Sequence, residues 1–128
     1  MILLTGSSGF IGSAFLKQAV KKNWRIRVLS RNPEDWITQN GVEVVSGDLA
    51  KTDDWSRAVQ GIQVVVHAAA EIKDPALMPV MNVLGPSRLL HEAVNAGVKR
   101  WVQLSSVGSY GPILSGLVSE DWPDNPSD

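Results

Sequence analysis

Short apolar runs and helical stripes alternate along the whole chain. Ile2, Leu3 and Leu4 lead into Thr5 and predict a strand over Ile2–Thr5, and the segment from about Phe10 to Lys22 has helical character. Arg25, Ile26, Arg27 and Val28 alternate polar and apolar, which predicts a second strand over Arg25–Ser30. A short helix is expected around Glu34–Gln39, opened by Pro33 in its first turn and ended by Gly41, with a third strand at Val42–Val45. Thr52 or Asp53 would cap a helix running to about Val59 and closed by Gly61. Ile62–His67 is a continuous apolar run, as expected of a strand covered on both faces. A longer helical stretch, Ala76–Ala96, ends at Gly97 and precedes a fifth strand at Arg100–Leu104. Pro79 fits a first helical turn. Pro86 would remove the hydrogen bond to the carbonyl of Asn82, so a bend is expected near Asn82–Pro86.

Strands that alternate with helices imply parallel pairing through right-handed crossovers. The expected architecture is α/β, a doubly wound parallel sheet of the Rossmann type in spatial order 3-2-1-4-5. In such a sheet the ligand crevice lies at the C-terminal ends of strands one and four. That rule gathers Gly6–Gly12, Ser30–Arg31, Asp48–Leu49, Ala68–Ala70 and Ser105–Ser106 along one edge, because each follows a strand. The domain is expected over residues 1–118, with 119–128 a polar, Pro-rich tail.

The turn Thr5-Gly6-Ser7-Ser8-Gly9-Phe10-Ile11-Gly12 is the most telling segment. Strand, glycine-rich turn and helix in that order bring backbone amides and a helix N-terminus against a phosphate. Gly6 can turn sharply off the strand, Gly9 leaves room for a pyrophosphate, and Gly12 lets the helix lie close to the sheet. This placement points to a dinucleotide site.

Composition narrows the rest. Hydrophobic residues make up 44% and charged residues 20% of the 128, as in an ordinary globular domain. The formal net charge of −1 favours neither nucleic acid nor an anionic membrane as partner. Without cysteine there is no disulfide, thiol nucleophile or Cys-based metal site, and His91 lacks a partner pattern for a metal. No apolar run approaches the roughly 18 residues of a membrane span. The N-terminal apolar stretch is broken at once by Gly and Ser, so no secretory signal is expected and a cytoplasmic protein is the default. Trp24, Trp36, Trp55, Trp101 and Trp122 are dispersed and read as packing residues.

Further motifs occur in fixed order: Gly47-Asp48-Leu49, His67-Ala68-Ala69-Ala70, Asn82-Val83-Leu84-Gly85, and Leu104-Ser105-Ser106-Val107-Gly108-Ser109-Tyr110-Gly111. Together with the glycine turn, they resemble the N-terminal part of the extended short-chain dehydrogenase/reductase superfamily. Within it they resemble the NAD-dependent epimerase/dehydratase family, with a nucleotide-sugar 4-epimerase flavour. The resemblance implies that Gly6, Ser8, Gly9 and Gly12 form the cofactor turn and that Phe10 and Ile11 present amides to the pyrophosphate. It implies that Asp48 and Leu49 contact adenine, and that Ala68, Ala69 and Ala70 flank the nicotinamide ribose. Ser106 then matches the catalytic serine or threonine, with Ser105 beside it as a substrate contact. Tyr110 is followed four residues later by Leu114 rather than lysine, so it reads as a wall of the substrate cleft. Asp48 could instead cap the next helix. Asn82 reads as bonding backbone groups at the helix bend, and His67 as a satisfied, neutral core histidine.

An acidic residue gripping the adenine-ribose 2′-hydroxyl should end strand two. Ser30 occupies that position and Arg31 follows, and a guanidinium there can pair with a 2′-phosphate. NADP is thereby favoured over NAD. The family's proton-transfer tyrosine and lysine would fall past Asp128, so the resemblance implies a sheet truncated after strand five and a tail, 119–128, that leads to a missing C-terminal part; the chain is expected to carry the cofactor half of an oxidoreductase or isomerase and to be inactive alone. The alternative is a non-catalytic NADP(H)-binding module or sensor. A nucleotide sugar is the expected substrate class. An uncovered sheet edge and apolar face would favour a homo-oligomer.

Overall fold

Adjacent strand residues point to opposite faces, and Leu3 and Leu4 show what that does here. Both are fully buried, one in each of two hydrophobic clusters on the two sides of strand β1 (Ile2–Thr5). The computed structural model describes residues 1–32, 37, 40–51, 54–112 and 116–126. Four further strands complete the sheet: β2 (Ile26–Ser30), β3 (Glu43–Ser46), β4 (Val64–His67) and β5 (Arg100–Gln103). All pair in parallel in the order β3-β2-β1-β4-β5, the order expected from the sequence for a Rossmann-type fold. Thr5 lies in register with both Leu29 and His67, so the chain leaves β1, β2 and β4 at one level.

Helix α1 (Phe10–Lys21) buries Gly12, Leu16 and Ala19 at helical spacing and covers Leu4, Ile26 and Val28. The opposite face gathers Leu3, Leu29 and Val65 under helices α2 (Ser56–Val59) and α3 (Gly85–Asn95). Arg27 of β2 ties α2 down. Its guanidinium donates to the carbonyls of Arg57, Ala58 and Gln60 at 2.7–3.1 Å and pairs with Glu43 at 2.7 Å, so a cation meets the negative end of the helix. Trp55 is buried against this face, whereas Trp24 and Trp122 remain about half exposed. Among the described residues no helix is long and apolar enough to cross a membrane.

Several boundaries differ from the sequence reading. The cap expected at Thr52 or Asp53 lies outside the described residues; α2 starts at Ser56, whose amide donates to the Asp54 carboxylate at 2.9 Å. The helix expected at Glu34–Gln39 is outside them too, apart from Ile37, which is buried. Strand β4 begins at Val64 because the amide of Ile62 still closes the turn after α2, at 3.1 Å from the Val59 carbonyl. The bend expected near Asn82–Pro86 takes the form of a π-helical turn over Val80–Leu84 that runs into α3. Pro86 cannot donate to Asn82, and the widened turn lets the Gly85 amide reach back to the Val80 carbonyl instead. The tail turns back, with the Asn125 amide donating to the Ser109 carbonyl at 2.8 Å.

Leu89 is fully buried where α3 meets the sheet. Leu89→Ala should cost about 2–5 kcal/mol of unfolding free energy in urea denaturation, and the half-exposed Leu90→Ala much less. Equal effects would contradict this packing.

Candidate functional site

The site begins with two backbone approaches that only glycine permits. Gly6 leaves β1 at φ +72°, and a Cβ there would sit 2.5–2.7 Å from the backbone of Ala68 and Ala69. A Cβ on Gly12 would run into the Gly6 carbonyl. The Gly9 amide donates to the Gly6 carbonyl at 3.0 Å, and the Ser13 amide makes the first full helical bond, to Gly9 at 2.9 Å. Gly9 is the N-cap and supplies no side chain to the amides of the first turn. Those of Phe10, Ile11 and Gly12 therefore precede the helical ladder, at the positive end of α1.

A cleft of about 230 Å³ opens beside this turn. Gly6, Ser8 and Gly9 form one side and Ala68, Ala69 and Ala70 the other, with Ser30, Arg31 and Leu49 at the β2–β3 end. Nine residues selected from the sequence thus converge on one cavity. Ser7 and Gly47, which fall inside the motifs read from the sequence without being singled out, also line it, as do Thr5, Leu29, Asn32 and Met81. Thr5, Leu29 and Asn32 each adjoin a selected residue, so widening the selection by one position would have found them. Met81 enters from the π-helical turn, a feature with no counterpart in the periodicity.

Other selected residues lie outside this cavity. Phe10 is 95% exposed and Ile11 56%, so their side chains face solvent. Gly12 is buried beneath the turn. The Asp48 carboxylate accepts from the Ala50 amide at 3.0 Å. Ser105 and Ser106 follow β5 and are exposed. Ser106 Oγ accepts from the Gly108 amide at 3.1 Å and caps a 3-10 turn, Val107–Tyr110, which carries the half-buried Tyr110.

Beneath the cleft, Thr5 Oγ1 hydrogen-bonds His67 Nδ1 at 2.8 Å and accepts from the Ala69 amide at 3.3 Å. His67 stacks on Trp101, with ring centroids 5.5 Å apart, and its buried Nε2 finds no hydrogen-bond partner among the described residues. Burial pushes the imidazole pKa down to about 4, so the ring is neutral but only half satisfied. Asn82 does bond backbone groups, though not at the bend: it reaches to the loop after β4. Its Oδ1 accepts from the Glu71 amide at 2.8 Å and its Nδ2 donates to the Glu71 carbonyl at 2.9 Å. The wall Ala68–Glu71 is thus pinned at one end by a hydroxyl and at the other by a side-chain amide.

Residues 2–127 match the model of the NAD dependent epimerase/dehydratase family. Sterol demethylase protein B of Methylococcus capsulatus is 31% identical over 130 residues, which cover 97% of this chain and 40% of the relative. A short-chain dehydrogenase/reductase superfamily protein from Agrobacterium tumefaciens, solved with bound NAD, superimposes with a TM-score of 0.85 at 34% identity. That match covers 100% of this chain and 40% of the other. The UDP-glucose 4-epimerase of Thermus thermophilus, in complex with NAD, gives a TM-score of 0.81 at 29% identity over 98% of this chain and 44% of the other. The chain spans less than half the length of each.

Two outcomes follow from the pinned wall. An unfolded chain protonates His67 near pH 6.5 and the folded one only near 4, so between these values the unfolded state holds more protons and stability falls as pH falls. The urea midpoint of the wild type should drop more across that window than that of His67→Asn; equal slopes would contradict the buried neutral ring. In Asn82→Ala the Glu71 amide should exchange hydrogen about fivefold faster or more, measured by NMR, and an unchanged rate would contradict the clamp.

Proposed function

This chain belongs to the NAD dependent epimerase/dehydratase family, and we propose that it forms the dinucleotide-binding part of an enzyme that acts by hydride transfer. The observation that carries this reading is the start of α1 behind the Gly6–Gly9 turn, where the glycine N-cap offers no side chain to the first-turn amides, next to a cleft walled by Ala68–Ala70. A pyrophosphate laid across the turn would accept from first-turn amides, with the helix dipole favouring its charge. Gly6 and Gly12 keep Cβ atoms out of the turn, and the small side chains of Ala68–Ala70 leave room for a ribose. Leu49 would pack on the adenine end, with Asp48 beside it.

When bound, the nicotinamide supplies a hydride acceptor or donor. The chain's own contribution is to bind and orient it. Thr5 and Asn82 hold the Ala68–Glu71 wall, and the apolar floor of Leu29, Leu49 and Met81 limits water. Ser106 would hydrogen-bond the substrate oxygen, with Ser105 and Tyr110 along the same edge. The relatives' names divide between a sterol-processing protein and a nucleotide-sugar epimerase. The motif pattern of this chain favours a nucleotide sugar. Ser30 stands where a carboxylate would select NAD, and Arg31 beside it in the cleft lining favours NADP. The outer strand β5 and the exposed Leu90 and Val94 on α3 support self-association.

Calorimetric titration tests the reading. NADH or NADPH should bind the folded protein, and Gly12→Val, checked for folding by circular dichroism, should bind at least about tenfold more weakly. Absence of binding by both dinucleotides, or an undiminished affinity in a folded Gly12→Val, would overturn it.

A further inference from the structure

The cleft wall ends in a carboxylate that the reading above leaves unused. Glu71 directly follows the lining residues Ala68–Ala70, and its position is fixed twice over. The Asn82 amide group brackets its backbone. Its own Oε1 accepts from the Lys73 amide at 2.7 Å and the Asp74 amide at 3.2 Å. These backbone bonds hold the carboxyl below the usual carboxylate range, with a smaller contribution from the Arg31 charge. An unrestrained glutamate could swing away from an arriving anion. This one is anchored by both its backbone and its side chain.

Arg31 follows β2 and Glu71 follows β4, the two strands that flank β1 on opposite sides. Arg31 thus lines the cleft, Glu71 directly follows its opposite wall, and the two charges are close enough for the guanidinium to act on the carboxyl. NADPH and NADH differ only by a 2′-phosphate, which carries a charge of about −1.5 to −2. A nearby carboxylate acts on that difference in two ways. It competes for the guanidinium that would pair with the phosphate, and it repels the phosphate directly.

We infer that Glu71 is a specificity-determining residue that offsets Arg31 and weakens selection for the 2′-phosphorylated dinucleotide. The inference rests on dinucleotide binding in this cleft, as proposed above. Arg31 alone would make the site strongly NADP-selective; the Arg31–Glu71 pair makes it more permissive. Whatever binding the two dinucleotides share cancels in the ratio of their affinities, so the ratio isolates this charge effect from any general loosening of the wall.

Titrations of NADPH and NADH into the wild type and into Glu71→Gln at low salt, followed by nicotinamide fluorescence, provide the test. Glutamine keeps a side-chain oxygen for the Lys73 and Asp74 amides, so the turn is preserved while the charge is removed. The NADPH-to-NADH affinity ratio should rise roughly three- to fivefold, the scale of one partly solvated charge contact. Glu71→Lys should raise it further. In an Arg31→Gln background, the effect of Glu71→Gln should shrink. Equal changes for both dinucleotides, or an unchanged ratio, would overturn the inference and leave dinucleotide binding intact. Binding of neither dinucleotide to the wild type would overturn both.

Discussion

The contact between the Gly6 carbonyl and the backbone of Gly12 governs the rest of the structure. It presses the first turn of α1 onto the end of β1, and Gly6 in turn lies against the backbone of Ala68 and Ala69. Three chain segments from β1, α1 and β4 thus meet without side chains between them. What remains open is a cleft with amides on one side and alanines on the other. A methyl group at either glycine would have to push backbone aside, and backbone in a packed sheet yields little.

The polar interactions around the cleft serve the same geometry. The Thr5 hydroxyl lies between His67 and the Ala69 amide, and Asn82 extends its carboxamide to Glu71 as a second peptide group would. The loop after β4 has left the ladder, and these side chains replace the partners its backbone would have had in a strand. Burying His67 has a cost at low pH, because desolvation keeps the ring neutral where an unfolded chain would protonate it. The π-helical turn belongs to the same scheme. It absorbs the missing Pro86 donor, keeps the helical path continuous into α3, and brings Met81 to the cleft.

Much of this was legible in the sequence, and the limits have physical causes. Alternation with right-handed crossovers leaves few topologies, and the glycine turn after the first strand favours the order 3-2-1-4-5 among them. The cleft edge followed from the rule that ligands gather at strand C-termini, which placed Gly6, Ser30, Leu49 and Ala68 together although they are distant in the chain. Boundaries were less legible. Ile62 is as apolar as the strand that follows it, yet its amide belongs to the turn after α2. Long-range side-chain partners were the hardest to read. Asn82, four residues before Pro86, suggests a local bond at the bend, and only the folded chain brings Glu71 to it. Glu71 itself sits in an unpatterned polar loop, where no periodicity marks a residue as functional.

The most direct measurement is a ¹⁵N NMR titration of the protein with NADH. If the opening turn receives a pyrophosphate, the amide signals of Ser7 to Gly12 and of Ala68 to Ala70 should shift first and furthest, and those at the opposite end of the sheet should stay still. Shifts confined to other surfaces, or none at saturating cofactor, would contradict the account.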